Sequence, residues 1–234
     1  MTNTIIAEHH HQDGGHPHQD GAKANPGLRG AAHVISYIFH PLFISVYVMG
    51  FLIFFHPYAF TGFDMRTRIF RFINIVFCDT FLPLFAVFLM WRLKLITSLT
   101  LRTPKDRIVP YIIAMTFYWW TWMVFKNVSS KDELKIPDTA IHFLLGAFLA
   151  ICGGWICNIF FKISMHSIAM GGAVMFFLLL GFNDSSASGL YIGVALLCAG
   201  IVCTSRLILS AHNGFEIWVG LFVGALAQWV AWLF

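Results

Sequence analysis

Charge is what this sequence has least of: acidic and basic side chains make up 11% of its 234 residues. Soluble domains carry about 25%, so there is too little charge here to cover a surface facing water. The net charge of +4 is modest, and no basic cluster is dense enough to suggest a nucleic-acid partner. Cysteine is also scarce. Cys78, Cys152, Cys157, Cys198 and Cys203 all lie in apolar stretches and no two form a C-x-x-C pair, so they read as small buried apolar residues. There is no H-E-x-x-H and no cluster of paired carboxylates, the patterns that hold a catalytic metal; neither metal nor cofactor is expected. Residues 1–32 lack the apolar centre of a secretory signal, so the first apolar run is expected to be kept as a span.

Apolar residues are abundant: 58% of the chain is hydrophobic and 17% aromatic, and the mean hydropathy is +0.74. Apolar runs cover 33–56, 69–97, 108–126, 137–161, 164–183, 188–209 and 214–234, most of them long enough to cross hydrocarbon. Backbone polar groups in lipid must be paired within their own segment, so these runs are expected to be helices. The predicted fold class is all-α, a polytopic transmembrane bundle of about six or seven spans. The first run is expected to break or tilt at His40-Pro41. Two regions follow: a flexible tail over 1–32, in which five histidines carry no fixed ligand geometry, and a transmembrane domain over 33–234. Asn127 to Pro137 and Asn183 to Ser186 read as loops. Tyr118 to Trp122 reads as an interfacial aromatic belt. Gly220-x3-Gly224 permits close helix approach, either within the bundle or as the face of a homodimer.

Counting spans places three polar junctions, near Thr103–Arg107, Lys162–His166 and Arg206–His212, on the side of the N-terminus. Lys and Arg divide nine to six in favour of that side, and evenly once Lys105, Arg107 and Arg206 are set aside for chemistry. The positive-inside rule therefore assigns no orientation.

The third junction reads Ser205-Arg206-x5-His212-x3-Glu216. Arginine presents a planar fork to phosphate oxygens. Histidine can attack phosphorus and carry the phosphoryl group. If the stretch is helical, a carboxylate four residues on shares the histidine's face and can fix its tautomer. The stretch resembles the third signature of the type-2 phosphatidic acid phosphatase family, SR-x5-H-x3-D, with Glu for Asp. That family removes phosphate from membrane lipids without a metal.

The resemblance implies two further stations. The first signature, K-x6-R-P, is kept loosely: Arg107 is present, but position 100 is Thr and position 108 is Ile. It points to Lys105 and Arg107 as phosphate clamps, with Arg102 third. The second, PSGH, survives as Ile163-Ser164-Met165-His166. It implies phosphate binding near Ser164 and makes His166 the general acid, while Ser205 and Arg206 of the third signature join the phosphate-binding set. His33, His40, His56 and His142 are left out of the site.

The function the resemblance implies is hydrolysis of a lipid phosphate or diphosphate through a phosphohistidine. Polyprenyl diphosphate, phosphatidate and phosphatidylglycerophosphate are the substrate types, and membrane lipids the surroundings. A bacterial inner membrane is the expected location, with the protein multi-pass in it. Two alternatives stay open: a fold that binds or moves a phospholipid without cleaving it, and transfer of the phosphoryl group to an acceptor other than water.

Overall fold

A computed structural model describes residues 25–96, 105–129, 135–183 and 188–234, with Lys105 and Ser188 in backbone only. Every regular element among them is helical. Six helices are long and apolar enough to cross a membrane, and a bent pair makes a seventh crossing if counted as one. The chain fits a multi-pass membrane protein.

Helix α1 (Pro26–Ile38) begins inside the stretch expected to be tail. Asn25 caps it by accepting the Gly27 N–H at 3.1 Å, and Pro26 opens its first turn, where a missing N–H costs nothing. For residues 1–24 the expectation of a flexible tail lies outside the described residues, as do positions 130–134 and 184–186 of the expected loops. Pro41 forces His40 into extended backbone (ψ 138°), so α1 and α2 (Pro41–Gly50) meet at a bend of 59°. A π-helical turn, Phe51–Phe55, extends α2.

Helices α3 (Met65–Ile75) and α4 (Leu82–Arg92) form one 28-residue span, joined by a π-helical turn at Val76–Phe81. Pro83 accounts for that turn: it has no N–H to give the carbonyl of Asp79, four residues earlier, and its ring crowds that oxygen. Ile73, Phe77, Phe81, Phe85 and Phe88 point outward along this span, 44–57% exposed. So continuous an apolar stripe on a monomer marks contact with lipid.

The remaining spans are α5 (Ile108–Ser129), α6 (Asp138–Phe160), α7 (Met165–Asn183), α8 (Ser188–Ile208) and α9 (Gly214–Trp232). The aromatic group at 118–122 sits mid-way along α5 rather than at an interface. Tyr118 and Thr121 face the core, while Trp119 and Trp120 face outward. The core lies between α2, α6 and α7, where Phe143 and Phe176 meet edge to face with centroids 5.0 Å apart.

Helices α7 and α9 share the closest packing in the bundle, and glycine makes it possible. A Cβ on Gly224 would come 1.9 Å from the carbonyl oxygen of Ile168, and one on Gly171 2.1 Å from that of Leu221. Gly220 packs against Ser164 and Ser167 in the same seam. Of the two readings of Gly220-x3-Gly224, the structure shows packing within the bundle: both glycines are buried inside one chain, and small residues bring two of its own helices together.

Candidate functional site

The third junction is built from two caps back to back. Helix α8 ends in a Schellman turn: Ala211 N–H bonds to the Arg206 carbonyl at 3.1 Å and Ser210 N–H to that of Leu207 at 2.9 Å. Ser210 takes the left-handed conformation (φ 49°) that glycine usually fills. Two residues on, Asn213 caps α9 by accepting the Glu216 N–H at 2.9 Å, and its side-chain amide donates back to Glu216 Oε1 at 3.2 Å. This reciprocal pair resembles a capping box, closed through the Asn213 side-chain amide in place of its backbone N–H. His212 therefore lies in the turn, not on a helix face as the sequence suggested, and Glu216 opens the next helix.

The expected contact forms nonetheless. His212 Nδ1 stands 2.5 Å from Glu216 Oε2, and a carboxylate can only accept, so Nδ1 carries the hydrogen. In the neutral ring Nε2 then holds the lone pair. Burial pushes the His212 ring well below its ordinary value of 6.5, and Arg206 and Lys162 add to that against the opposing pull of Glu216. The ring is neutral at pH 7, with Nε2 free to act as a nucleophile.

The second junction closes onto the third. Lys162 donates its Nζ to the Ala211 carbonyl at 2.7 Å, beside His212. Arg107 reaches from the first junction toward the Ile163 carbonyl at 3.5 Å. His166, in the first turn of α7, donates from Nε2 to the carbonyl of Ser36 at 3.1 Å. Arg206 donates from a terminal guanidinium nitrogen to the hydroxyl of that same Ser36 at 3.3 Å. The Nε–H of Arg206 is buried with no partner, which makes it costly in protein and available to an anion.

Arg107, Lys162, Arg206, His166 and His212 thus gather at one end of the bundle. The guanidinium groups of Arg107 and Arg206 repel one another. Glu216 contacts this group through His212. Such an excess of positive charge, under partial burial, suits a phosphate headgroup.

Not every expected residue faces the same space. Ser164 is fully buried, and its hydroxyl caps α7 by accepting from Ser167 N–H at 3.3 Å and from the Ser167 hydroxyl at 2.9 Å. Ser205 turns back onto its own helix and donates to the Ile201 carbonyl at 2.8 Å. Both hydroxyls are thus engaged with their own helices, Ser164 with Ser167 and Ser205 with Ile201. Lys105 lies in the short turn before α5 with its side chain outside the described residues, and Arg102 lies wholly outside them.

Four other residues belong to the site and were not expected there. Lys162 and Asn213 lie within the signature stretches, and N-x-x-E at 213–216 is a legible capping signal. Ser36 and His40 come from the N-terminal segment. The His40 ring stands edge-on to His166 at 5.9 Å, and no local pattern announces a contact across some 126 residues. No protein-family model, curated protein or solved structure matches the chain.

Proposed function

We propose that this chain is an integral-membrane phosphatase of the type-2 phosphatidic acid phosphatase kind, cleaving a lipid phosphate or diphosphate in a bacterial inner membrane. The observation that carries the reading is the His212–Glu216 contact at 2.5 Å, set beside Arg206 with its buried, partnerless Nε–H. A tautomer-fixed imidazole next to an unsatisfied guanidinium is what in-line attack on a phosphate needs.

Arg206, Arg107 and Lys162 neutralise the headgroup oxygens. His212 Nε2 forms a bond to phosphorus while the bond from phosphorus to the lipid oxygen breaks. The anionic headgroup favours a second proton on His166, and His166 gives that proton to the departing oxygen. His166 then takes a proton from water. The resulting hydroxide attacks phosphorus, the P–N bond breaks, and His212 returns neutral. Glu216 holds Nδ1–H throughout and balances the charge that develops on the ring. The phosphate oxygens take over the bonds that His166 and Arg206 make to Ser36.

The test is release of free phosphate by the purified protein in EDTA, offered polyprenyl diphosphate, phosphatidate and phosphatidylglycerophosphate in turn. Turnover of at least one substrate is expected, with an acid-labile phosphoryl label on the wild-type protein and none on His212→Ala. Turnover that survives His212→Ala, or its absence with all three substrates, overturns the reading. Product on an added acceptor in place of free phosphate would identify a transferase.

A further inference from the structure

Asp79 is a carboxyl group in the middle of the membrane with nothing to balance it. It stands fourteen residues into the 28-residue span Met65–Arg92, roughly 20 Å of helix from either end. Its relative exposure is 0%. Thr121 of α5 lies 2.7 Å from Oδ1, while Oδ2 has no hydrogen-bond partner. Among the described residues Asp79 forms no ion pair. An ionised carboxylate so placed is costly, and such groups inside a membrane mark binding sites or ion routes.

Counting hydrogens sharpens the point. The Thr121 hydroxyl has one proton and two acceptors in reach, Asp79 Oδ1 at 2.7 Å and the Phe117 carbonyl at 3.0 Å. If the proton goes to Phe117, the short contact to Asp79 needs a proton on the carboxyl. If it goes to Asp79, Oδ2 still lacks a partner. Either way the group is one positive charge short.

The surroundings supply oxygen atoms and room. Ser45 of α2 and Tyr118 of α5 flank the carboxyl, their hydroxyl oxygens 3.2 Å apart. Cys78 and Tyr118 are the titratable groups that feel the Asp79 charge. Ser45 and Tyr118 also line a cavity of about 70 Å³ whose wall includes Pro41, Leu42 and Met165, the last adjacent to His166.

We propose that Asp79, with the hydroxyls of Thr121 and Ser45, binds a monovalent cation, H⁺ or Na⁺, in the interior of the membrane. Carboxylate and hydroxyl oxygens are ligands that such hard cations take. The site is separate from the phosphate-binding junctions and does not depend on their chemistry.

The experiment uses the full chain in lipid nanodiscs. Binding of radioactive Na⁺ is measured at alkaline pH with choline as the replacing cation. Infrared spectra of the same samples are followed through a pH titration. Saturable Na⁺ binding in the wild type, absent in Asp79→Asn, identifies a sodium site. A protonated-carboxyl band at neutral pH without Na⁺ binding, lost in Asp79→Asn, identifies a proton site. An ionised carboxylate at neutral pH with no Na⁺ bound overturns the proposal, as do signals that persist in Asp79→Asn. Thr121→Ala keeps the charge and carries the test if Asp79→Asn does not fold. It should weaken Na⁺ binding about tenfold or move the pH at which the carboxyl band titrates; no change in either overturns the proposal.

Discussion

Replacing Gly224 with alanine adds one methyl group to the tightest seam in the bundle. Its carbon would lie 1.9 Å from the Ile168 carbonyl oxygen and 2.8 Å from the Gly172 nitrogen, where ordinary contact begins at 3.4 Å. Both obstacles are backbone and cannot rotate away, so α7 and α9 must part locally by up to about 1.5 Å. Overpacking of this kind costs about 1–3 kcal/mol. The better helix propensity of alanine returns up to about 1 kcal/mol, leaving a net loss.

The site feels the same displacement, because α7 carries His166 and α9 carries Glu216, each in its first turn. A misplacement of about 1 Å can cost about 100-fold in rate. Thermal unfolding in detergent is the direct assay, with phosphate release as the second readout. Gly200→Ala is the control, since a Cβ there meets nothing within 4 Å; it should be neutral or stabilising by up to about 1 kcal/mol. If Gly224→Ala proves as stable as Gly200→Ala, the two helices do not approach as described, and the placement of His166 relative to Glu216 falls with them.

Three further outcomes are expected. Lys162→Met removes a cation that disfavours the protonated His212 ring, so the acid limb of the pH–rate profile should move to higher pH; a shift the other way would refute the neutral-nucleophile assignment. Asn213→Ala should cost about 1 kcal/mol of stability through the lost cap and lower kcat more than it changes KM. Asn213→Asp keeps the cap but loses the amide donor to Glu216, so it should spare stability and still slow turnover. Ser36→Ala removes the hydroxyl partner of Arg206, a bond to a charged group typically worth about 1.5–3 kcal/mol. Apparent KM should fall several-fold, whereas a rise would mean that the hydroxyl assists binding.

Much of this arrangement is legible in the sequence for simple reasons. Spans announce themselves because lipid demands length and apolarity together, and the His212–Glu216 pair because four residues bring it within reach. The turn between them is less legible: Ser210 adopts a left-handed conformation that serine does not advertise, so the stretch passes for helix. The start of α1 was readable in Asn25-Pro26, a cap followed by a first-turn proline, but the polar composition around it obscured the signal. The seryl side chains at 164 and 205 share a signature with the catalytic groups, yet spacing cannot separate a residue that touches ligand from one that holds the backbone beside it. Asp79 is a single acid in a phenylalanine-rich run, and only burial shows how little surrounds it.

Ser36 has a consequence for the order of events at the site. Its carbonyl and hydroxyl, one residue's two oxygens, already occupy the histidine and the arginine that a headgroup would claim. Any anion that takes both must evict this internal placeholder, which belongs to the first helix, beside the 59° bend at His40-Pro41. Fastening that helix to α8 by a cross-link should then weaken anion binding while leaving Arg206, His212 and Glu216 untouched.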